Sequence, residues 1–444
     1  MSRGVSYLLS LEICGIKNIE TPIRLEFYRK TIQNDFDADL YKIKAIYGEN
    51  GSGKTAVITA VRIICGLLLN KSYLSDSDTQ KKLKEIINKK TGKGSLAFEF
   101  YYDRKGEKLI GRYSISFEIG SDDRVSITSE KYETKKGNYS KNKYSTIYVA
   151  DKGELKQFGD DKTVFPSMKE KTLNLLSQQS ITSMILYLDS TPGFLHMLSE
   201  MGIIQLLVTA AAIDVYLDEA DSHDDYIVRD RINQLTDDTD ALKETRLLEF
   251  VRKWVYADRN SLRHVPKDSW DKFALMVARL CRFLQIFKSD LKDIEIVRKD
   301  FGEYYQCNLN MVYDGYVLDS EFESRGLRKL MDLFAYLDAS CSGRIVFIDE
   351  LDSNINDIYL DKLIEYINLY GRGQLCFTAH NLSPMNILRG NKNAITFLSG
   401  INTVHTWTTN GNLTPENAYR RGFIEDSPFN VDASDFLGIL GEFE

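Results

Sequence analysis

Cysteine is scarce in this chain of 444 residues and is not arranged for metal binding or disulfide pairing. The six cysteines are scattered along the sequence, and no two of them form a Cys-x-x-Cys pair. This usage favours a reducing compartment, in which most of the thiols are buried as small apolar side chains. The cysteines are Cys14, Cys65, Cys281, Cys307, Cys341 and Cys376.

Long apolar runs are also missing. The most apolar stretch, Gly202 to Ile213, contains Gln205 and is far shorter than the roughly 20 residues that a membrane-spanning helix needs. The first residues, Met-Ser-Arg-Gly-Val-Ser-Tyr, lack the apolar segment of a secretory signal. We therefore expect a cytoplasmic protein without membrane contact, with a buried core helix at 202–213.

An excess of positive charge is missing as well. The formal net charge is -7, and 43% of residues are apolar and 27% charged, as in ordinary globular proteins. This balance argues against a protein that coats nucleic acid generally, but it leaves a local basic groove open. Two lysine-rich segments could form a strip that contacts phosphates, with Tyr139 and Tyr144 stacking on bases; we favour solvated loops. The lysines are Lys81, Lys82, Lys84, Lys89, Lys90, Lys93, Lys135, Lys136, Lys141 and Lys143.

The periodicity of apolar residues changes along the chain. Alternation predicts two antiparallel strands within residues 7–28 and an antiparallel β-lobe from Ser95 to Val149. Helical periodicity dominates from Pro166 to Lys292, and short apolar strands follow it. The patterns predict an α/β protein in three parts: 1–165, the first half of a nucleotide-binding head with the β-lobe; 166–290, a helical insertion; and 291–444, the second half of the head.

Residues 48–55 read Gly-Glu-Asn-Gly-Ser-Gly-Lys-Thr, a complete G-x-x-x-x-G-K-[ST] sequence. A strand-like run at 42–47 precedes it and a buried-helix pattern at 56–64 follows, which is the setting of a phosphate-binding loop. In such loops backbone N–H groups surround the β-phosphate, the lysine reaches the β- and γ-oxygens, and the last hydroxyl binds Mg²⁺. The predicted nucleotide contacts are Asn50, Gly51, Ser52, Gly53, Lys54 and Thr55, with Thr55 also at the metal.

Acidic residues follow the apolar strand at 344–348. Asp349 would hold Mg²⁺ through Thr55 or water, and Glu350 would activate the attacking water. His380 follows the next apolar strand, at the carboxyl edge where ligands gather in open α/β sheets, so it could reach the γ-phosphate. The alternatives are an acidic helix start for the carboxylates and a structural role for the histidine.

A third candidate is the end of a helix that begins near Gly326. Ser324 can cap this helix, which leaves free N–H groups at its first turn. An ordinary capped helix and a phosphate-sensing helix end are equally supported at this point.

The order of these motifs resembles the ABC-type ATPase head shared by SMC and RecF proteins, and most closely the AAA-like branch of OLD and abortive-infection ATPases. Members of that branch show GxNGSGKT, ESxGxxxL, DExD and FTxHN. Length and layout are similar to those of the ATPase subunits of PARIS-type anti-phage systems. The matching segments are 48–55, 323–330, 349–352 and 377–381, with Tyr419 to Gly422 and the opening strands, and the resemblance covers about 1–165 and 291–425.

This resemblance implies a homo-oligomer in which two heads sandwich two ATP molecules. Ser324 and Gly326 of one head would contact the γ-phosphate bound by the other, Glu350 would be the general base, and His380 the switch residue. It also implies an anti-phage role, in which head closure controls a separate effector protein and a phage-encoded protein could be the trigger.

Three positions depart from the family pattern. Arg325 interrupts a Ser-Gly-Gly signature, and Asn356 stands where relatives often have histidine. The glutamine that normally joins the metal shell has only Gln178 and Gln179 as candidates.

A nuclease domain of the OLD kind is not expected. Those nucleases carry a metal-binding TOPRIM domain after the ATPase, whereas 64 residues (444 − 380) follow His380. No histidine cluster or Cys-x-x-Cys pair suggests another metal nuclease. We therefore expect the effector on a separate chain, with a TOPRIM-type nuclease as one candidate.

Two other functions are open. A DNA-repair or chromosome-associated ATPase of the RecF or SMC kind would need a DNA groove across the dimer or long arms. A scaffold with a degenerate ATP site is less well supported, since Lys54, Thr55, Asp349, Glu350 and His380 are all present.

Overall fold

The computed structural model describes residues 5–217 and 264–427, except for short gaps at 31, 33–35, 105, 138–141, 160–163, 174, 176, 189–190, 392, 409–412 and 425–426. Part of the helical insertion predicted at 166–290 lies outside the described residues, as do Tyr139 and Lys141.

Seventeen strands and eleven α-helices are found in the described residues, besides three short 3-10 helices. The strands are β1 Val5–Cys14, β2 Ile23–Glu26, β3 Ile43–Tyr47, β4 Lys93–Arg104, β5 Glu107–Ile119, β6 Val125–Lys136, β7 Ser145–Asp151, β8 Glu154–Phe158, β9 Ile213–Tyr216, β10 His264–Pro266, β11 Asp293–Asp300, β12 Tyr304–Tyr313, β13 Tyr316–Asp319, β14 Ile345–Ile348, β15 Gln374–Thr378, β16 Ile395–Leu398 and β17 Val404–Thr406. The helices are α1 Lys54–Leu69, α2 Ser77–Ile86, α3 Val164–Leu173, α4 Ile181–Tyr187, α5 Pro192–Glu200, α6 Ile203–Ala211, α7 Trp270–Phe287, α8 Arg325–Cys341, α9 Asp357–Tyr370, α10 Pro384–Leu388 and α11 Pro415–Arg420.

A six-stranded sheet in the order β17-β16-β3-β15-β14-β9 organises the head. All neighbouring strands in it are parallel except β16 and β17. Strands β3, β14 and β15 are buried along their whole length, which explains why they read as continuous apolar runs. The carboxyl end of β3 leads into the phosphate loop, that of β14 into the acid pair (Asp349 and Glu350), and that of β15 into the segment with His380. Strand β15 lies between the other two.

The two faces of this sheet pack against different layers. Alternate residues such as Ile46 and Phe347 face a core shared with α1, α4, α6 and the β-lobe. Their neighbours, including Ala45 and Val346, face a core shared with α7, α8 and α9. The head is therefore an α/β structure with helices on both faces, and the predicted fold class is confirmed.

The β-lobe is a seven-stranded antiparallel sheet in the order β2-β1-β4-β5-β6-β7-β8. It contains the strands predicted from 7–28 and 95–149, together with β6 and β8, which the sequence patterns did not predict. Glu130 explains the omission of β6, because it lies at a buried position of that strand. Its carboxylate accepts hydrogen bonds from the hydroxyls of Tyr113 and Tyr148, and burial raises the pKa of Glu130.

Strand β9 ties the predicted helical insertion to the head. Its four residues pair with Ile345–Ile348 at the edge of the parallel sheet. The buried guanidinium of Arg344 binds the carboxylate of Asp214 and donates to the carbonyl oxygen of Ala211 at 2.8 Å. The predicted core helix at 202–213 is present as α6, which ends two residues earlier. The domain boundaries at 165 and 290 remain predictions.

Strands β10, β11, β12 and β13 form a small antiparallel sheet beside α7. Among the described residues, no single helix combines the length and apolarity needed to cross a membrane. Only α5 and α6 taken together pass that test, and they are bent by 81° at the break between them.

Candidate functional site

The phosphate loop turns through two glycines in left-handed conformation before α1 begins. Gly51 has φ +81° and Gly53, the residue before the helix, has φ +102°. A Cβ atom on Gly53 would lie 3.1 Å from Cγ1 of Ile19, so both the backbone angle and the space favour glycine. The first N–H groups of α1 have no partner within the helix and face the loop, as an anion site requires.

Lys54 lies across the loop. Its ammonium donates to the carbonyl oxygens of Gly48, at 2.7 Å, and Glu49, at 3.0 Å. Burial lowers the pKa of Lys54, whereas the nearby carboxylates of Asp349 and Glu350 oppose that shift. The loop lysine and the acid pair therefore share one electrostatic environment, although almost 300 residues separate them in the sequence.

The turn between β1 and β2 braces the other side of the loop. The side-chain amide of Asn18 donates to the carbonyl oxygen of Gly51. Asn402, from the turn between β16 and β17, donates to the carbonyl oxygen of Asn18 at 3.2 Å and accepts from the N–H of Glu20 at 2.7 Å. Nothing in the local sequence indicated this contact between three loops.

Thr378 joins the two acids that follow β14. Its hydroxyl donates to Oδ1 of Asp349 at 2.6 Å and accepts from the N–H of Glu350 at 2.8 Å. Thr378 and Asp349 are buried. The last residue of β15 therefore orients both the carboxylate of the first acid and the backbone of the second.

His380 and Glu350 face each other at the open edge of the sheet. Nε2 of His380 lies 3.9 Å from Oε1 of Glu350, and both side chains are about half exposed. Asp352 holds the loop that follows β15, residues 379–383, which we call the histidine loop. Its Oδ2 accepts from the N–H groups of His380, at 2.8 Å, and Asn381, at 2.6 Å. The Asp-Glu-x-Asp and Thr-x-His-Asn segments are thus one hydrogen-bonded unit.

A cavity of about 480 Å³ opens between the phosphate loop and the histidine loop. Tyr419 of α11 lines it, stacks on Phe397 with ring centroids 5.3 Å apart, and has its pKa raised to about 12 by burial. The hydroxyl of Tyr47 is buried and has no hydrogen-bond partner among the described residues. The other residues that line the cavity are Gly48, Glu49, Asn50, Ala379, His380 and Leu382.

The oxygen ligands available at this edge suit Mg²⁺. In the described part of the chain, no group of three or more His, Cys, Asp or Glu side chains forms a metal site. Mg²⁺ usually needs no such cage, because one or two protein oxygens, phosphate oxygens and water complete its shell. The carboxylate of Asp349 and the hydroxyl of Thr55 fit that pattern.

Ser324 and Gly326 lie at the N-terminus of α8. Ser324 is exposed, and its hydroxyl accepts from the N–H of Leu327 at 3.3 Å, which is the predicted cap. A Cβ atom on Gly326 would lie 3.1 Å from the carbonyl oxygen of Asn354. In the described residues, no hydrogen bond joins either residue to the phosphate loop of the same chain.

Asn356 and Gln178, which were considered where the sequence departs from the family pattern, both make hydrogen bonds away from the phosphate loop. Asn356 caps α9, with its Oδ1 accepting from the N–H of Ile358 at 3.0 Å. Gln178 contacts the β-lobe instead of the loop: it accepts from the side chain of Gln80 at 3.3 Å and donates to the carbonyl oxygen of Val125 at 3.2 Å. Both ends of the side-chain amide of Gln178 are therefore engaged by the β-lobe and α2, and its role at the metal stays a prediction.

Five of the six lysines in the first lysine-rich segment are paired with acids. Lys89 contacts Glu85 at 3.0 Å, and Lys90 contacts Glu20 at 2.7 Å. Tyr144 lies between Arg112 and Lys135, at 4.3 and 4.4 Å from its ring centroid. These contacts support the interpretation of a solvated, ion-paired surface. Lys81, Lys84 and Lys93 pair with Asp78, Asp123 and Glu118.

Comparison with known proteins adds one family match. Residues 10–257, more than half of the chain, match the sequence model of the family described as AAA domain. No curated protein matches the sequence. A solved structure of the recombination mediator protein RecF with ATPrS, in the RecFOR pathway, is similar over 92% of this chain and 100% of the RecF chain, at 12% identity and a TM-score of 0.38.

Proposed function

The chain belongs to the AAA domain family of ATPases, and we propose that it hydrolyses ATP in a closed dimer whose state controls a partner protein. The observation that carries the proposal is the convergence of Lys54, Asp349, Glu350 and His380 at the carboxyl edge of one parallel sheet. Ligands bind at this edge in open α/β sheets, and each side chain has the chemistry that phosphoryl transfer needs.

Binding rests on the loop. The N–H groups that begin α1 would surround the β-phosphate, and the ammonium of Lys54 would turn from the carbonyl oxygens of Gly48 and Glu49 to the β- and γ-oxygens. Asp349 and Thr55 would hold Mg²⁺, which when bound neutralises charge on those oxygens.

Hydrolysis would depend on Glu350, the acid that follows Asp349. Glu350 would accept a proton from a water molecule as its oxygen attacks the γ-phosphorus, and ADP would leave with the bridging oxygen. His380, 3.9 Å from Glu350, would hydrogen-bond the γ-phosphate and confine that water. Asp352 and Thr378 hold these two groups in place through the backbone contacts described above.

Dimerisation would complete the site. Ser324 is exposed at the start of a 17-residue helix, where the helix dipole and its N–H groups favour an anion. Since no hydrogen bond joins it to its own phosphate loop among the described residues, we propose that Ser324 and Gly326 contact the γ-phosphate bound by a second copy.

The biological role that fits best is an ATP-dependent sensor or scaffold in anti-phage defence, of the PARIS type. This rests on the motif resemblance, which also supports a separate effector chain, with a TOPRIM-type nuclease as the candidate, and a phage-encoded trigger. Cells that express the chain with its neighbouring genes should resist phage, and Lys54→Ala should abolish that resistance. Protection that survives Lys54→Ala would contradict an ATP-dependent role.

The reaction itself is tested with Glu350→Gln. We expect ATP binding to persist, turnover to fall by about 100-fold or more, and a stable dimer to accumulate with ATP. Glu365→Gln, at an exposed acid on α9, is the matched control and should turn over normally. Normal turnover in Glu350→Gln would remove Glu350 from the role of base.

A DNA-repair or chromosome-associated ATPase of the RecF or SMC kind is the competing function. It predicts that DNA stimulates hydrolysis and that rising salt abolishes the stimulation steeply. The defence proposal predicts hydrolysis that DNA leaves unchanged, measured with the same purified protein.

A further inference from the structure

Glu350 has a backbone conformation that its side chain disfavours. Its φ is +48°, in the left-handed region, where residues other than glycine lose about 1–2 kcal/mol. Such conformations persist only where the surroundings hold them, and they concentrate at functional sites. The contacts that hold the backbone of Glu350 therefore help to set the orientation of its carboxylate, the proposed base.

Two buried side chains hold the peptide groups on either side of this residue. Thr378 accepts from the N–H of Glu350 at 2.8 Å, and the ammonium of Lys329 donates to its carbonyl oxygen at 2.8 Å. Lys329 is 3% exposed and also donates to the hydroxyl of Ser353. Its ammonium lies 5.8 Å from the ring centroid of Tyr216, whose carbonyl oxygen accepts from the N–H of Asp349 at 3.0 Å.

Lys329 belongs to α8, the helix whose cap is Ser324. The two residues are five positions apart, which is about 7.5 Å along a helix axis. One end of this short segment is exposed to solvent, and the other is hydrogen-bonded to the backbone of Glu350. A displacement of the helix N-terminus would therefore reach the backbone of Glu350 directly through the side chain of Lys329.

We propose that Lys329 is a positioning residue that couples the start of α8 to the aim of Glu350 in the same chain. The inference rests on the proposed function, in which Ser324 contacts the nucleotide of a second copy. Engagement of Ser324 by that nucleotide would then set the carboxylate of Glu350 in its own site, so that each site would hydrolyse ATP only when the other is closed.

Lys329→Met tests this coupling, because methionine keeps most of the side-chain volume and removes the ammonium. We expect kcat to fall about 10- to 100-fold, as a displacement of about 1 Å can produce, while KM and ATP affinity stay within about threefold. Lys329→Arg should restore part of the rate. Lys362→Met, at an exposed lysine paired with Glu365, is the control and should leave kcat unchanged.

A double variant separates positioning from general damage. If Lys329 acts through Glu350, adding Lys329→Met to Glu350→Gln should not lower the residual rate further. A second loss as large as that of Lys329→Met alone, or wild-type kcat in that single variant, would overturn the coupling. Rates are taken per folded, ATP-binding protein. If Lys329→Met does not fold, Lys329→Gln replaces it, and wild-type kcat in that neutral variant would also overturn the coupling.

The outcomes for the coupling and for the proposed function are distinguishable. An inactive wild-type protein, or an active Glu350→Gln variant, would remove the proposed hydrolysis. An active wild-type protein with an inactive Glu350→Gln and a fully active Lys329→Met would remove only the coupling.

Discussion

Two threonines flank the phosphate-loop strand at the same level but have opposite surroundings. Thr378 of β15 and Thr396 of β16 both pair with Ile46 of β3, one on each side, and both are fully buried. The hydroxyl of Thr378 bridges Asp349 and Glu350, whereas that of Thr396 has no hydrogen-bond partner among the described residues. Removing each hydroxyl in turn therefore compares a hydrogen-bonded oxygen atom with one that has no partner among the described residues.

Valine at each position should have different consequences. Thr378→Val leaves the carboxylate of Asp349 and the N–H of Glu350 without their partner, so we expect the free energy of unfolding to fall by about 1–3 kcal/mol and kcat to fall with it. Thr396→Val removes a hydroxyl that makes no bond, so stability should be unchanged or higher. Urea unfolding and steady-state ATPase rates measure both, and equal effects in the two variants would contradict the assigned bridge.

At the scale of elements, a buried lysine joins the two large sheets. Lys44 of β3 is 2% exposed, and its ammonium donates to the carbonyl oxygen of Glu26, at the end of β2, at 2.8 Å. It also donates to the backbone carbonyl and side-chain oxygens of Asn393, at 2.9 and 3.0 Å. Burial lowers the pKa of Lys44 to about 7.

The pKa of Lys44 predicts a dependence of stability on pH. The value in the folded protein is below that of an unfolded lysine, about 10.4, so between pH 7 and pH 10 the unfolded chain holds more protons at this position. Stability should therefore rise with pH across that window, by up to about 1.4 kcal/mol per pH unit. We expect the free energy of unfolding of the wild type, minus that of Lys44→Met, to increase from pH 7 to pH 9 in urea titrations. A constant difference would show that Lys44 stays charged.

Some elements could be predicted from sequence and others could not. The continuous apolar runs of β3, β14 and β15, each followed by its motif, are strong local signals, and they correctly predicted the parallel core. Strand β9 gave no such signal, because Ile213–Tyr216 continues the apolar pattern of α6 with no turn residue between them. Helix α2 lies in a lysine-rich segment whose solvation was predicted, although its helical structure was not.

At the scale of the whole molecule, the proposed site is shared between two copies. Ser324→Arg would place a long charged side chain at the helix end that we assign to the partner's γ-phosphate. In a Glu350→Gln background with ATP, we expect the dimer to disappear in light scattering while each chain still binds ATP. Ser121→Arg, in the exposed turn between β5 and β6, should leave the dimer intact. A dimer that survives Ser324→Arg would exclude this geometry.

The candidate site could be predicted from sequence only where a motif is contiguous. Lys54, Asp349, Glu350 and His380 each belong to a recognisable string next to a strand. Thr378 and Lys329 are separated from Glu350 by 28 and 21 residues, and their roles depend on strand order and helix placement. Asn18 likewise contacts Gly51 only because the turn of the β-lobe reaches the loop. Such contacts require the three-dimensional fold.

Strand β9 also has a mechanical consequence. Its last residue, Tyr216, accepts from the N–H of Asp349, and the chain enters residues 218–263 one residue after Leu217. A force that pulls on the chain at 218 along the strand direction would load the hydrogen bonds to β14 together, in shear, with the buried Arg344–Asp214 pair as an anchor. Tension applied there would therefore act on the backbone of Asp349, through its hydrogen bond to Tyr216, before the edge strand could separate from β14.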